Sequence, residues 1–258
     1  MVEPIVIPPR PHNLLLSSLP AADFDLLRSG LEPLELPLRY VLEEPNKPIK
    51  YVYFIESGFA SVVAISAHSR KIEIGLIGRE GMSGVPVIMG DDRSPNTTYM
   101  QAAGYGFRIK ADDLRAAMRK SRALERVFLH FAQILSTQIS HTAIANSNGN
   151  IDQRLARWLL MARDRLDVNE IPVTHEFLGL MLDVRRAGVT IATQKLQKRD
   201  IIRTGRKLIT LLNYERLRTT AHGSFGIPEA EYGRLLGFQF GYHAAKSGQN
   251  GSLANVIG

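Results

Sequence analysis

The sequence predicts an α+β protein in which an antiparallel β-barrel or sandwich precedes a long helix and a winged helix–turn–helix. Three observations predict this order: short apolar runs separated by turn residues over 50–110, helical periodicity after about residue 111, and a basic helix–turn–helix pattern over 174–198. Apolar residues make up 45% and charged residues 22% of the chain, which is typical of a soluble globular protein.

Residues 1–45 are rich in proline, and we expect one short helix there, over Ala21–Ser29. Four β-like runs follow, each four to seven residues long and bounded by Gly, Ser, Asp or Pro. They are Tyr51–Ile55, Ala60–Ile65, Lys71–Ile77 and Thr97–Ala102. Several short strands at close spacing predict an antiparallel barrel or sandwich.

Helical periodicity predicts one helix over Leu114–Lys120 and a long helix from about Arg122 to Asn146. A heptad-like stripe runs along the long helix in alternating steps of four and three. It consists of Leu124, Phe128, Phe131, Leu135, Gln138 and Thr142. The first four are the expected dimer contacts, although the same spacing fits a helix packed on its own barrel. The polar run Asn146–Asn150 predicts a linker.

The pattern after residue 173 predicts two helices joined by a tight turn at Asp183, with Thr174 capping the first and the second over 186–198. Two short strands around Thr204–Lys207 then predict a wing. Because an exposed basic helix start suits the DNA major groove and a basic wing tip suits phosphates, nine residues are candidate DNA contacts. They are Thr174, Arg185, Arg186, Thr190, Thr193, Gln194, Lys198, Arg206 and Lys207.

The excess positive charge of the chain lies almost entirely in this segment. Residues 151–222 hold 14 Lys and Arg against 8 Asp and Glu, whereas residues 1–150 hold 16 against 15 and residues 223–258 hold 2 of each. A charge excess confined to one segment predicts a polyanionic partner there.

Several function classes are excluded or disfavoured by composition. The chain has no cysteine, which rules out disulfides, an iron–sulfur cluster with cysteine ligands and a cysteine nucleophile. A cupin-type metal enzyme would need several histidines from barrel strands, and the β region offers only His68. We therefore expect no enzyme. Without a signal-like N-terminus or a membrane-spanning apolar run, we expect a cytoplasmic protein that does not enter a membrane.

The order of these parts resembles the Crp/Fnr family of bacterial transcription regulators over about residues 12–220. The residues that carry the resemblance are Tyr53–Val62, Gly78–Gly84, Asn150–Leu166 and Val173–Leu196. The resemblance implies a cyclic-nucleotide-binding-like β-roll of the jelly-roll type over 12–120, a dimerisation helix over 121–147 and a winged helix–turn–helix over 150–220. The Gly-rich tail, 221–258, lies beyond it, and we expect it to be partly mobile.

The resemblance also implies an effector pocket in the roll, at Gly84, Val85, Arg93 and Ser94. In family members that bind cAMP, a carboxylate follows the glycine, and an Arg-Ser pair holds the cyclic phosphate. Val85 stands in place of that carboxylate, so the pocket is degenerate and argues against cAMP, while Arg93 could still hold another small anion.

The partners implied are double-stranded DNA, a second copy of the chain, and RNA polymerase if the protein activates transcription. In this hypothesis, a signal at the roll shifts the packing of the long helices in a dimer and so reorients the two DNA-reading helices. The alternative is a cyclic-nucleotide module that signals through protein contacts alone.

Overall fold

Seven strands in the first half of the chain form two antiparallel sheets that share one core. In this computed structural model, which describes residues 10–66 and 70–240, the sheets have the strand orders β1-β7-β3 and β2-β6-β4-β5. The strands are β1 Glu32–Leu36, β2 Val41–Glu43, β3 Tyr51–Ile55, β4 Phe59–Ile65, β5 Lys71–Ile77, β6 Thr97–Ala102 and β7 Gly104–Lys110. All four strands expected from the sequence are present, and the α+β class is confirmed.

Three strands of the roll were not predicted from the sequence, each for a physical reason. Strand β1 contains Pro33 and is largely exposed, and β2 is only three residues long. Strand β7 carries two glycines and two basic residues, which disguise its alternation. It nevertheless lies at the centre of its sheet because Gly106 lets the backbone pass close to the Phe54 carbonyl oxygen, which a Cβ would approach to 2.3 Å.

Five helices accompany these strands. They are α1 Leu14–Ser18, α2 Ala21–Arg28, α3 Val85–Ile88, α4 Ala111–Lys120 and α5 Arg122–Asn148. Helix α4 begins earlier than expected, with Asp112 and Asp113 in its first turn, where acidic side chains favour the positive end of the helix dipole. Helix α5 continues through most of the expected linker, which shrinks to Gly149 and Asn150.

The apolar stripe of α5 packs on the roll of the same chain. Leu124, Phe128, Phe131 and Leu135 are all buried in the roll core, and the ring centroids of Phe128 and Phe54 lie 5.9 Å apart. Further along, the Gln138 side chain accepts a hydrogen bond from the Leu76 N–H at 2.7 Å and donates one to the Leu76 carbonyl at 3.2 Å. The expectation that this stripe forms the dimer contact was therefore wrong. Heptad spacing places apolar groups on one helix face without saying which surface covers that face.

The second half of the chain forms a small domain around a second core. Its elements are α6 Ile151–Leu166, β8 Glu170–Pro172, α7 His175–Met181, α8 Arg186–Lys198, β9 Ile202–Gly205, β10 Leu208–Leu211 and α9 Tyr214–Thr220. Strand β8, which the sequence pattern missed, completes a three-stranded sheet in the order β8-β10-β9. Helix α6 starts at a capping box in which Asn150 and Gln153 bond reciprocally.

Part of the Gly-rich tail forms a helix that packs on the rest of the chain. Helix α10, Ile227–Leu236, packs along α5, and Tyr232 and Phe240 are buried against the roll core. The His130 Nδ1 lies 2.9 Å from the Leu235 carbonyl oxygen. Residues 241–258 lie outside the described part of the chain.

The two halves are joined by buried polar contacts as well as by packing. The Trp158 Nε1–H of α6 donates to Glu73 Oε1 of β5 at 2.7 Å. Arg165 of α6 forms a fully buried ion pair with Glu80 at 2.9 Å. These bonds fix α6, and with it the second half of the chain, against the roll. Over residues 10–66 and 70–240, no helix has the length and apolar character required to span a membrane.

Candidate nucleic-acid interface

The turn between α7 and α8 has the geometry that the sequence predicted. The Thr174 Oγ1 accepts a hydrogen bond from the Phe177 N–H at 3.1 Å and so caps α7. Asp183 adopts the left-handed conformation with φ 51°, which Asp tolerates better than most residues. Gly179 lets the two helices approach closely, because a Cβ there would lie 2.9 Å from the Val184 carbonyl oxygen. The resulting turn directs the start of α8 away from the domain core.

Helix α8 presents a basic, unpaired start to solvent. Arg185 occupies the N-cap position, and Arg186 opens the helix, whose first turn contains no acidic residue. Both arginine side chains are exposed, and no ion pair between described residues involves either of them. Two further expected contacts, Gln194 and Lys198, are also exposed. Because the first turn of a helix already carries positive dipole charge, this arrangement concentrates positive potential where an anion can approach.

Two threonines expected on the DNA-facing side are not fully available. Thr193 is 1% exposed, and its hydroxyl donates to the Val189 and Thr190 carbonyl oxygens, so the expectation that it contacts DNA was wrong. It follows Val189 by four residues, which places it on the core side of α8. Thr190 is half-buried; its hydroxyl donates to the Arg186 carbonyl oxygen at 3.1 Å and lies 3.2 Å from His175 Nδ1.

His175 sits beneath the start of α8 in a partly buried position. Burial lowers the pKa of its imidazole, and the positive charge of Arg186 lowers it further. The imidazole is therefore held neutral near pH 7, where it can bond Thr190 without adding to the charge of the surface.

The wing is a two-residue hairpin turn joined to α8 by side-chain hydrogen bonds. Arg206 and Lys207 form the turn between β9 and β10 and are both exposed. The Gln197 Oε1 of α8 accepts hydrogen bonds from the Thr204 N–H at 3.1 Å and the Thr204 hydroxyl at 2.5 Å. Sequence reasoning missed Gln197. Its spacing of seven residues from Thr204 across a turn carries no local signal.

The positive surface extends from α8 onto the roll, which the sequence alone could not indicate. A groove beside the helix start is lined by Arg39, Arg70 and Lys71 of the roll together with Arg185 and Arg186. Arg70 is neutralised by an ion pair with Asp183 in the turn. Arg39 and Lys71 add two positive charges to those of α8.

The expected effector residues of the roll do not converge on an anion site. Arg93 is exposed and pairs with its neighbour Asp92 at 3.1 Å. The Ser94 hydroxyl is buried and accepts the Asn96 N–H. Gly84 adopts φ 72°, and its N–H donates to Glu43 Oε1 at 2.8 Å.

Glu43 therefore supplies a carboxylate near the position where Val85 lacks one. Burial raises the pKa of this carboxyl, against the opposing effect of the hydrogen bonds from Gly84 and Thr98. A second carboxylate, Glu80, is committed to Arg165. Within the described ranges, there is no group of three or more His, Cys, Asp or Glu residues placed to hold a metal ion; His68 falls outside those ranges.

The profile of the Crp-like helix–turn–helix domain matches residues 153–220, which contain α7, α8 and the wing. The chain is similar to this family over the segment that carries the candidate DNA contacts.

Known structures extend the likeness beyond this segment, over 74–81% of the chain. A structure assigned to the Crp/Fnr transcriptional regulators, from Eubacterium rectale, is similar with a TM-score of 0.63 at 19% identity, covering 81% of this chain and 98% of its own. FixK2 from Bradyrhizobium japonicum gives 0.65 at 15% identity, covering 74% and 96%.

The c-di-GMP-responsive global regulator CLP from Xanthomonas campestris gives a TM-score of 0.58 at 15% identity, covering 75% of this chain and 100% of its own. No curated protein matches the chain by sequence. At these identities, the structural likenesses establish the Crp/Fnr fold, with its N-terminal roll, long helix and C-terminal helix–turn–helix.

Proposed function

We propose that the chain is a sequence-specific DNA-binding transcription regulator of Crp/Fnr type that acts as a dimer. The observation that carries the proposal is the exposed start of α8, where Arg185 and Arg186 stand without acidic partners inside a Crp-like domain. A helix that presents its N-terminal residues from such a turn fits the DNA major groove.

The side chains divide into two roles by their position. Arg186 and Gln194 extend from α8, and their donor and acceptor groups suit guanine and adenine edges respectively. Arg206 and Lys207 at the wing tip, Thr174 at the start of α7 and Lys198 at the end of α8 suit phosphate oxygens. The exposed, apolar Ile191 lies on the same face as Gln194 and suits a thymine methyl group.

Dimerisation, if it uses α5, requires the face that is turned away from the roll. That face is exposed and follows the other heptad positions of the helix, at Arg126, Leu129, Gln133, Ser136, Ser140 and Ala143. Leu129 is 42% exposed there. The small side chains of Ser136, Ser140 and Ala143 allow two helices to approach closely along the second half of α5. A twofold axis along α5 would present two copies of α8 to a palindromic site.

The roll supports regulation by something other than cAMP. Glu43 already occupies the N–H of Gly84, Val85 offers no carboxylate for a ribose, and Arg93 points to solvent. We place the protein in the cytoplasm with double-stranded DNA as its partner, and with RNA polymerase as a further partner if it activates transcription.

The test is selection of binding sites from a random duplex pool, in parallel with and without cAMP. The proposal predicts a palindromic sequence in both arms, because a dimer reads two half-sites and the pocket is degenerate. Enrichment only in the presence of cAMP would contradict the degenerate pocket. No enrichment in either arm, from protein that is folded and dimeric, would contradict sequence-specific recognition.

A further inference from the structure

A cleft of about 550 Å³ separates the four-stranded sheet of the roll from the DNA-binding domain. One wall comes from the outer side of the roll, and the other from β8, α7 and the wing turn. Its volume lies within the range of small-molecule sites, about 300–1,000 Å³. None of the expected effector residues between Gly84 and Ser94 lines it, so this cleft is separate from the pocket that the Crp/Fnr resemblance implies.

The walls of the cleft are apolar on both sides. Leu38 and Val41 from the roll are 57% and 47% exposed, and Leu180 from α7 is 47% exposed. Phe177 and Val63 add further apolar surface. Single exposed apolar side chains are ordinary, but here three of them converge from two domains on one cavity. Such a cavity favours a ligand with an apolar body.

The charged side chains of the cleft are all positive. Arg39, Lys71 and Lys207 line it, and no aspartate or glutamate does. Among the described residues, none of these three side chains forms an ion pair, in contrast to neighbouring Arg70, which is paired with Asp183. Unpaired cations beside apolar walls are complementary to a ligand that carries one negative group.

Two of the three cations occupy backbone positions that are unfavourable for their residue type. Arg39 has φ 68° and Lys207 has φ 56°, in the left-handed region where Gly and Asn are better accommodated. The Arg39 N–H is held in place by a hydrogen bond to the Met100 carbonyl at 2.8 Å. Residues kept in this region tend to cluster at ligand sites, where the side chain has a use.

We propose that this interdomain cleft binds an organic monoanion with an apolar body, such as a medium-chain carboxylate, as an effector. The carboxylate would pair with Arg39, whose forked guanidinium matches its two oxygens, and with Lys71 or Lys207. The chain would lie between Leu38 and Leu180. A ligand that contacts both walls fixes the position of α7 relative to the roll.

The effect on DNA rests on the function proposed above, whereas binding of the ligand does not. Thr174 and Lys207 belong both to the cleft and to the candidate DNA contacts. A ligand that engages these two residues competes with DNA phosphates. The coupling is reciprocal, so DNA must lower the affinity for the ligand by the same factor as the ligand lowers the affinity for DNA.

The binding experiment uses the full chain without DNA. The fluorescent apolar anion 8-anilinonaphthalene-1-sulfonate serves as the probe, and decanoate, kept well below its micelle-forming concentration, is the competitor. Decanoate should displace the probe at a concentration at least tenfold below that of 1-decanol, which lacks the charge. Acetate, which lacks the apolar body, should not displace it. Equal displacement by decanoate and 1-decanol, or displacement by acetate, would overturn the proposal.

Three variants locate the site. Leu180→Glu places a negative charge on the apolar wall and should weaken decanoate at least tenfold. Arg39→Asn, in which Asn tolerates the left-handed backbone, should weaken it at least threefold. Leu212→Glu is the matched control, because Leu212 is equally exposed but lies outside the cleft, and it should leave decanoate binding unchanged. If Leu180→Glu and Arg39→Asn both bind decanoate like the parent chain, the cleft is not the site.

A last experiment, DNA binding with and without decanoate, distinguishes a failure of the ligand site from a failure of the proposed function. Saturating decanoate should weaken binding of the parent chain to its selected duplex at least threefold and have no such effect on Leu180→Glu. Decanoate binding without any change in DNA affinity would overturn the effector role. A chain that binds decanoate at the cleft but no DNA would contradict the proposed function while leaving the ligand site intact.

Discussion

At the scale of single residues, the most consequential group outside the DNA surface is Glu73, which joins the two halves of the chain. Its carboxyl is buried, with the Ser61 hydroxyl 2.5 Å from one oxygen and the Trp158 indole N–H 2.7 Å from the other. Burial raises the pKa of Glu73 from 4.5 to about 7, although these hydrogen bonds and the charges of Arg157 and Arg165 lower it in part. We therefore expect the domain contact to respond to pH in the neutral range.

The sign of this response follows from proton linkage. The folded chain holds the Glu73 proton more tightly than the unfolded chain, so the contribution to stability is fully present below about pH 4.5 and is lost as pH rises through about 7. In Glu73→Gln the amide can still accept from Trp158 and can donate to the Ser61 oxygen, without titrating. Between pH 5 and pH 8, the parent chain should lose roughly 2–3 kcal/mol more stability than this variant.

Urea denaturation at both pH values measures the difference. Ser121→Ala, which removes a helix cap far from the domain contact, serves as a control for a generally weakened fold: it should lower stability equally at both values. A Glu73→Gln variant with the same pH dependence as the parent chain would show that Glu73 does not titrate in this range.

At the scale of elements, α10 is the feature least apparent from sequence and closely integrated in the fold. Tyr232 is 1% exposed and lies between Phe238 and Phe240, whose ring centroids are 5.6 and 5.0 Å away. Its hydroxyl is buried and has no hydrogen-bond partner among the described residues. Packing of the ring therefore stabilises the helix, whereas the hydroxyl imposes a desolvation cost.

Two substitutions at Tyr232 separate these effects. Tyr232→Ala should cost about 3–5 kcal/mol, as expected for loss of a buried aromatic ring. Tyr232→Phe should be neutral or stabilising, because it removes a buried hydroxyl without a partner. The exposed Ile227 of the same helix provides the control, and Ile227→Ala should change stability by less than about 0.5 kcal/mol. Denaturation midpoints measure all three; a marked loss in Tyr232→Phe would indicate a partner for the hydroxyl.

Some of these helices and turns could be predicted from the sequence, and others could not. Thr174, Asp183 and the bounds of α8 were predictable because capping and turn preferences act within four residues. Thr193 could have been assigned to the core from its spacing to Val189 and Leu196. The packing partner of Phe128 could not have been predicted, because a helix that packs on a roll and a helix that packs on a second helix both need the same apolar stripe. Glycine-rich composition concealed α10, which contacts the roll core through only a few apolar side chains, among them Tyr232, Leu235 and Leu236.

In the whole chain, the candidate DNA surface of α8 lies beside the contact between the two cores. The hydrogen bond of Trp158 to Glu73 and the ion pair of Arg165 with Glu80 stabilise the contact between the two domains. Beside α7 the two domains are separated by the cleft. Arg39 and Lys71 of the roll adjoin the arginines of α8, so the orientation of the domain determines how much positive surface a duplex meets. The ligand proposed for the cleft would compete with phosphate at Thr174 and Lys207, and so would change DNA affinity without touching the bases.

We propose that α8 reads base sequence while the wing holds the DNA backbone. The most direct measurement is fluorescence anisotropy of two duplexes, the selected site and a scrambled one, with the parent chain, Arg186→Ala and Arg206→Ala at one fixed salt concentration. Arg186→Ala should lower the preference for the selected site by about 1–3 kcal/mol, whereas Arg206→Ala should weaken both duplexes alike and leave the preference unchanged. If both variants lost affinity equally for both duplexes, this division of roles between α8 and the wing would be contradicted.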